Sequence, residues 1–320
     1  MRRRAFILLA ALCTALVVHT PAASAANTAY VFAYFTESPN MNGADYGLHL
    51  AVSQDGLNWT PLNQNNPVVT PTAGTTGLRD PFVLRKQDGT FVILATDLKG
   101  TDFGQNNQYL HVWDSTDLTS FTGYRRIRMH NLATHTWAPT AFWDASRGQY
   151  GIVYSANNGS TDVFMVNYTS DFRTVSANQV YFSPGFPVLD GDIVVDGSTY
   201  YLYYKNLSTG LLYGARSTTG APNSYTTYTS GLRQGNAIEA PLLLKNNAGS
   251  GCGCGATPSA RSTTTTTPGP RPTSAATPGR RSTSAPTRPR STPNTARSPG
   301  SPPPSTTAWS PGGACRTGCG

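Results

Sequence analysis

Apolar positions between residues 26 and 249 fall in short runs separated by polar turn signals, and nowhere follow the three-to-four spacing of a long amphipathic helix. The clearest runs are YVFAYFT (30–36), GLHLAVS (47–53), FVILATD (91–97), YLHVWDS (109–115), YGIVYSA (150–156) and TYYLYYKN (199–206). Their Tyr, Val, Ile and Phe content predicts β-strands. Asp-Gly pairs at Asp55-Gly56, Asp88-Gly89 and Asp196-Gly197 predict tight hairpins, because both residues tolerate positive φ. The body of the chain is therefore read as all-β.

The runs also repeat. A strand carrying an acid or Pro, then a turn, then an aromatic strand recurs in RDPFVLRKQDGTFVILATD from Arg79, WAPTAFWDASRGQYGIVYSA from Trp137 and VLDGDIVVDGSTYYLYYKN from Val188. A fourth copy starts at IEAPLLLKNN from Ile238 and loses its second strand. A period of roughly 50 residues suits the four-stranded blades of a β-propeller. A β-sandwich is the rival, disfavoured by so regular a spacing. In a propeller the first strand of each blade lines the axis, so Asp80, Asp190 and Glu239, at matching points of three repeats, are expected to converge. Each has a blander reading: Asp80 could cap the turn before Pro81, and Asp190 could bond local amides. Three converging carboxyls would instead push their pKa values apart, leaving one group as base and another as acid. Two facing carboxyls are what glycoside hydrolysis requires.

The ends of the chain differ in kind. Residues 1–25 read as a signal peptide: Arg2, Arg3 and Arg4, an apolar run from Ala5 to Val18, then Ala23-Ser24-Ala25. Export to the extracellular space is expected, with cleavage near Ala25. From residue 250 to 320 the alphabet collapses to Ser, Thr, Pro, Gly, Ala and Arg, with no acid, which cannot offset the entropy of ordering a backbone and predicts a disordered tail. The formal charge of +8 comes from these ends; residues 26–249 hold 13 basic against 16 acidic side chains. No basic-aromatic patch points to nucleic acid. All the cysteines lie outside the body, so it contains neither a disulfide nor a zinc-thiolate site.

The strings LRDPFVLR, TWAP, VLDGDIVVDG and IEAPLLLK resemble glycoside hydrolase family 43, and YVFAYFTES with LHLAVSQDGLNWTPLN resembles one of its bacterial branches, over about residues 29–248. The resemblance implies a five-bladed propeller, its last blade incomplete here, that hydrolyses arabinofuranosyl, xylosyl or galactosyl linkages with inversion. By this resemblance Asp80 matches the general base, Asp190 the acid that tunes the proton donor's pKa, and Glu239 the general acid. Inversion goes with a base-to-acid separation of roughly 6.5–9.5 Å, leaving room for a water. The branch has an acid directly after its Trp-Ala-Pro, where this chain has Thr140, so a contact to a sugar hydroxyl is lost or changed; Asp144 either compensates or serves a turn. Trp137 and Phe142 are sugar-stacking candidates, with core packing as the alternative for both.

The implied substrate is a plant cell-wall polysaccharide side chain or oligosaccharide. α-L-Arabinofuranosidase is the first reading; β-xylosidase, exo-galactanase and a non-catalytic carbohydrate-binding propeller are the alternatives. A monomer with neither nucleic-acid nor membrane partners is expected. No cofactor or metal is assigned: the axial calcium of such propellers often lies near a terminal His that this chain lacks, and His49, His111, His130 and His135 show no ligand spacing.

The family's branch ends with Lys/Arg-His-Gly-Thr and a late Glu-Tyr. Shifted by one nucleotide, residues 291–309 admit LNSKHGTITRITAAEYNRL, with the first base of each codon chosen within the degeneracy of the preceding residue and the other two set by the printed residues. A frame change between about Asn246 and Thr263 is the expectation; the rival is a Pro/Thr linker, with no second module after it. The nucleotide sequence tests this: a stop codon or unrelated text in the alternative frame overturns the frame change.

Overall fold

The computed structural model describes residues 29–37, 45–232 and 238–245 in full, together with the backbone of 252–258. The expected signal peptide and the chain after 258 lie outside the described residues. The architecture is an all-β propeller. Its first sheet is β1 (Tyr30–Tyr34), β2 (His49–Ser53) and β3 (Thr60–Pro61), in that order. Three four-stranded antiparallel meanders follow. They are β4 (Leu78–Arg85), β5 (Phe91–Asp97), β6 (Tyr109–Ser115) and β7 (Thr122–Arg128); β8 (Trp137–Asp144), β9 (Gln149–Asn157), β10 (Asp162–Thr169) and β11 (Gln179–Phe182); then β12 (Val188–Asp196), β13 (Thr199–Asn206), β14 (Leu211–Ser217) and β15 (Thr226–Thr229). A two-stranded sheet pairs β16 (Ile238–Lys245) with β17 (Cys252–Pro258).

The first strands pack side by side around an axis: β1 against β4, β4 against β8, β8 against β12, and β12 against β16. A Cβ on Gly56, in the turn after β2, would lie 3.3 Å from Leu244 Cδ1, so β16 also reaches the first sheet. The core lies between sheets. Leu48, Leu50, Ile93 and Trp113 fill the first interface, Leu94, Val112, Ile152 and Met165 the second, and Phe142, Phe164, Leu202 and Tyr204 the third.

Two expectations are corrected here. The second strand thought missing after IEAPLLLK is present as β17, drawn from the start of the region read as tail. An edge strand such as β16 leaves a row of backbone N–H and C=O groups to pair, and pairing them asks nothing of the partner's side chains. Asp196-Gly197 does close a two-residue hairpin, Asp196 facing Thr199, but Asp55-Gly56 does not.

Asp55 belongs instead to a turn that joins the last two strands in each of the first four sheets. Ser53 Oγ accepts the amides of Asp55 and Gly56, and Asp55 Oδ1 accepts those of Leu57 and Asn58. Ser115 with Asp117, and Thr169 with Asp171, repeat the pattern. Ser217 accepts from Thr219 and Gly220 in the fourth copy, where Thr219 stands in place of the acid. These side chains satisfy turn amides that the ladder leaves unpaired.

Candidate active site

All four inner strands from β4 to β16 carry the same irregularity. Register breaks between Arg79 and Phe82, Trp137 and Thr140, Leu189 and Asp192, and Glu239 and Leu242, so two residues of the inner strand oppose one of its partner. Each break is a β-bulge, which re-aims the side chains beside it. Its first residue has positive φ: Asp80 (49°), Ala138 (49°), Asp190 (54°) and Ala240 (51°). In three copies Pro follows, which has no N–H to lose from the ladder. In the fourth it is Gly191, where a Cβ would come within 2.7 Å of Phe164 Cε1.

This register shows how the acids are related. Asp80 and Asp190 occupy the same bulge position, as expected. Glu239 does not: it stands one residue earlier, level with Arg79, Trp137 and Leu189, and the bulge position of its strand is Ala240. The bulge is invisible in sequence, where the acids simply recur near the head of each repeat.

Second strands lock each bulge to the next. Thr96 Oγ1 donates to Asp80 Oδ2 (2.8 Å) and accepts Ala138 N–H (2.9 Å). Ser155 Oγ, at the same position of β9, accepts Asp190 N–H (3.2 Å). Asp190 Oδ2 in turn accepts Ala240 N–H (3.0 Å). Lys205, at the equivalent position of β13, places Nζ 3.0 Å from Glu239 Oε2.

The three acids sense one another. Asp190 is pushed up to about 8, first by burial and then by the charges of Asp80 and Glu239, against the Ala240 amide and Lys205. Asp80 is also raised, mainly by burial and further by Glu239, while Arg79, the Thr96 hydroxyl and the Ala138 amide favour its ionised form. Carboxyls so arranged titrate as a linked group, and burial with the neighbouring charges favours the protonated form of Asp190.

Trp137 stands half-buried beside this cluster. Its Nε1 donates to Asn107 Oδ1 (3.0 Å), His135 stacks on it at 4.0 Å, and Phe103 meets it edge-on at 5.8 Å. Two expected substrate contacts are corrected. Thr140 is buried and donates to Asp192 Oδ1 (3.2 Å), while buried Phe142 packs on Tyr181 and Tyr200 in the third interface. Both lie beyond the bulge, where the alternation of β8 turns their side chains away from the axis. Asp144 serves a turn, accepting from the Ser146 hydroxyl and amide and pairing with Arg147.

Sequence reasoning missed Lys205 and Asp192. Asp192 bridges sheets, taking the Thr140 hydroxyl on Oδ1 and Leu243 N–H (2.7 Å) on Oδ2; burial raises it to about 6. The available signals were a lone charge in the apolar strand β13 for Lys205 and, for Asp192, a second acid two residues after Asp190 in β12. Among the described residues no group of three or more His, Cys, Asp or Glu is placed to hold a metal ion, and His111 is spent between Asp97, Gly77 and Tyr124.

A propeller with a carboxyl cluster where its inner strands meet is one class of scaffold that can carry glycosyl hydrolysis, which needs paired carboxyls. This chain belongs to a family related to glycosyl hydrolase family 43 and described as a probable glycosyl hydrolase domain, whose profile matches residues 26–253. It is 30% identical over 213 residues to an α-L-arabinofuranosidase of Bifidobacterium longum subsp. longum, which covers 57% of this chain and 20% of that protein. The chain thus spans only about a fifth of that relative's length. Among solved structures, an endo-1,4-β-xylanase of Bacteroides thetaiotaomicron superposes with a TM-score of 0.55 at 18% identity, covering 73% of this chain and 82% of that one. A xylan β-1,4-xylosidase of Bacillus halodurans gives 0.54 at 14% identity, covering 73% and 48%. At such identities these two likenesses concern the fold alone.

Proposed function

We propose that the chain is a secreted, inverting glycoside hydrolase that removes α-L-arabinofuranosyl groups from plant cell-wall side chains or oligosaccharides. The observation that carries this reading is the meeting of Asp80, Asp190 and Glu239 from three sheets within electrostatic reach of one another. Asp80 serves as general base: a water loses its proton to Asp80 as its oxygen bonds the anomeric carbon. Glu239 serves as general acid, giving its proton to the glycosidic oxygen as the carbon–oxygen bond breaks. The net change is addition of water across that bond. The Thr96 hydroxyl and Arg79 hold Asp80 toward the ionised form that a base needs. Asp190 takes no proton from substrate; its charge state sets that of its two neighbours. Trp137 offers an aromatic face to a sugar ring. The arabinofuranosyl preference follows the 30%-identical relative.

In this reading β16 and β17 begin a fifth blade, residues 1–25 direct export, and the sequence beyond a frame change between about Asn246 and Thr263 belongs to another frame. The chain is expected to release arabinose from an aryl α-L-arabinofuranoside faster than xylose from an aryl β-xyloside or galactose from β-1,3-galactan. NMR during turnover is expected to show the first-formed sugar with inverted anomeric configuration. Sugar binding without release from any of the three would overturn the enzyme reading in favour of a carbohydrate-binding propeller. Retained configuration would overturn the assignment of Asp80 as a base acting through water.

A further inference from the structure

The position that locks each bulge to the next changes its chemistry once. Thr96 and Ser155 are small hydroxyl residues that hold the following strand by its backbone amide. Lys205 occupies the same place, opposite the residue before the bulge, on the second strand of its sheet. It is only 6% exposed, and its ammonium meets the Glu239 carboxylate at 3.0 Å. Burying a lysine is costly unless its charge is matched. The acids it senses are Glu239, in contact, and Asp190, whose carboxyl lies within reach of its charge.

We infer that Lys205 is a positioning residue for the proton donor, fixing the Glu239 carboxyl at the axis and carrying the counter-charge for the carboxylate left when the proton departs. This rests on the glycosidase reading above. When Glu239 gives its proton to the leaving oxygen it ends the step as an anion, next to two other acids that oppose that charge. An ammonium 3.0 Å away opposes them in turn and strengthens as the anion forms. Its help is therefore felt only where proton donation limits the rate.

That dependence separates Lys205 from a residue that merely supports the fold. A leaving group of low pKa, such as dinitrophenolate, departs without a proton; a sugar alcohol does not. In the full chain, Lys205→Met is expected to lower kcat/KM on an arabino-oligosaccharide by about 100-fold, the lower end of what general acid catalysis supplies. On a dinitrophenyl α-L-arabinofuranoside the loss is expected to stay within about threefold, as chemistry there needs no acid. Lys205→Arg keeps the charge and is expected to retain most of the oligosaccharide activity. It carries the test if the Met variant fails to fold, as judged by circular dichroism: any loss it shows must fall on the oligosaccharide. A double variant with Glu239→Gln should lose no more than Glu239→Gln alone, because the two act through one proton. An equal loss on both substrates or no loss on either with Lys205→Met, a Lys205→Arg loss that falls equally on both substrates, or additive losses in the double variant overturns the inference. An unchanged chain that turns over neither substrate overturns the proposed function, and this inference with it.

Discussion

Glu239→Gln is expected to reduce turnover of an arabino-oligosaccharide by about 1,000-fold, within the range that positioned proton donors contribute. The substitution keeps the shape of the side chain, and its amide oxygen can still face Lys205, so the loss reports the missing proton. Substrate affinity measured by calorimetry is expected to change little. With a dinitrophenyl leaving group most of the rate should return, because that group departs unprotonated. Asp80→Asn offers the contrast: it removes the base, so an activated leaving group should not rescue it. If Glu239→Gln keeps oligosaccharide turnover within about threefold of the unchanged chain, Glu239 is not the acid, whatever its place beside Asp80 and Asp190.

The second large effect concerns stability. Asp192 ties the third, fourth and fifth sheets in chain order through Thr140, its own strand β12 and Leu243. Asp192→Ala leaves a buried hydroxyl and a strand amide without their acceptor. Each such orphan costs about 1–3 kcal/mol, so a loss of about 3 kcal/mol is expected in urea unfolding at pH 5. The penalty should shrink as pH rises. Folded Asp192 sits at about 6 while an unfolded aspartate titrates near 3.9, so between those values only the folded chain holds the proton. Stability from this group is then greatest at low pH and drains away as pH climbs through 6, by about 1.4 kcal/mol between pH 5 and 8. The alanine variant lacks that drain, so its deficit at pH 8 should be about half that at pH 5. An equal deficit at both values would mean that Asp192 is ionised throughout. Asp55, Asp117 and Asp171 work on the opposite limb. Turn amides lower their pKa values, so their contribution is present above about 4 and lost as pH falls through their folded values.

Much of the fold was legible because the middle strands of each sheet write their burial into their composition. FVILATD, YLHVWDS and TYYLYYKN became β5, β6 and β13 residue for residue. The outer strands were not legible. TTYT in β15 and TGYRRIR in β7 leave half or more of their residues partly or wholly open to solvent, so no apolar run marks them; they form because the neighbouring strand offers a ladder. The acids were legible as types in a repeat, but their geometry was not. Asp80 and Asp190 share the bulge position of their strands, whereas Glu239 stands one residue before that of its own. Lys205 and Asp192 escaped for a different reason. Their partners lie 34 and 51 residues away, and a charge in a strand gives no hint of which distant group it meets.

The bulges have a consequence for how such a molecule can change. Left-handed backbone suits aspartate better than alanine, yet Ala138 and Ala240 hold the same conformation as Asp80 and Asp190. The main chain therefore casts one socket four times and puts a carboxyl in only two of them. Adding or removing an acid at the axis needs a single side-chain replacement and no redesign of the backbone. Ala138 and Ala240 are blank sockets beside the two that hold aspartate, the places where an engineer, or descent with modification, could write a new chemistry first.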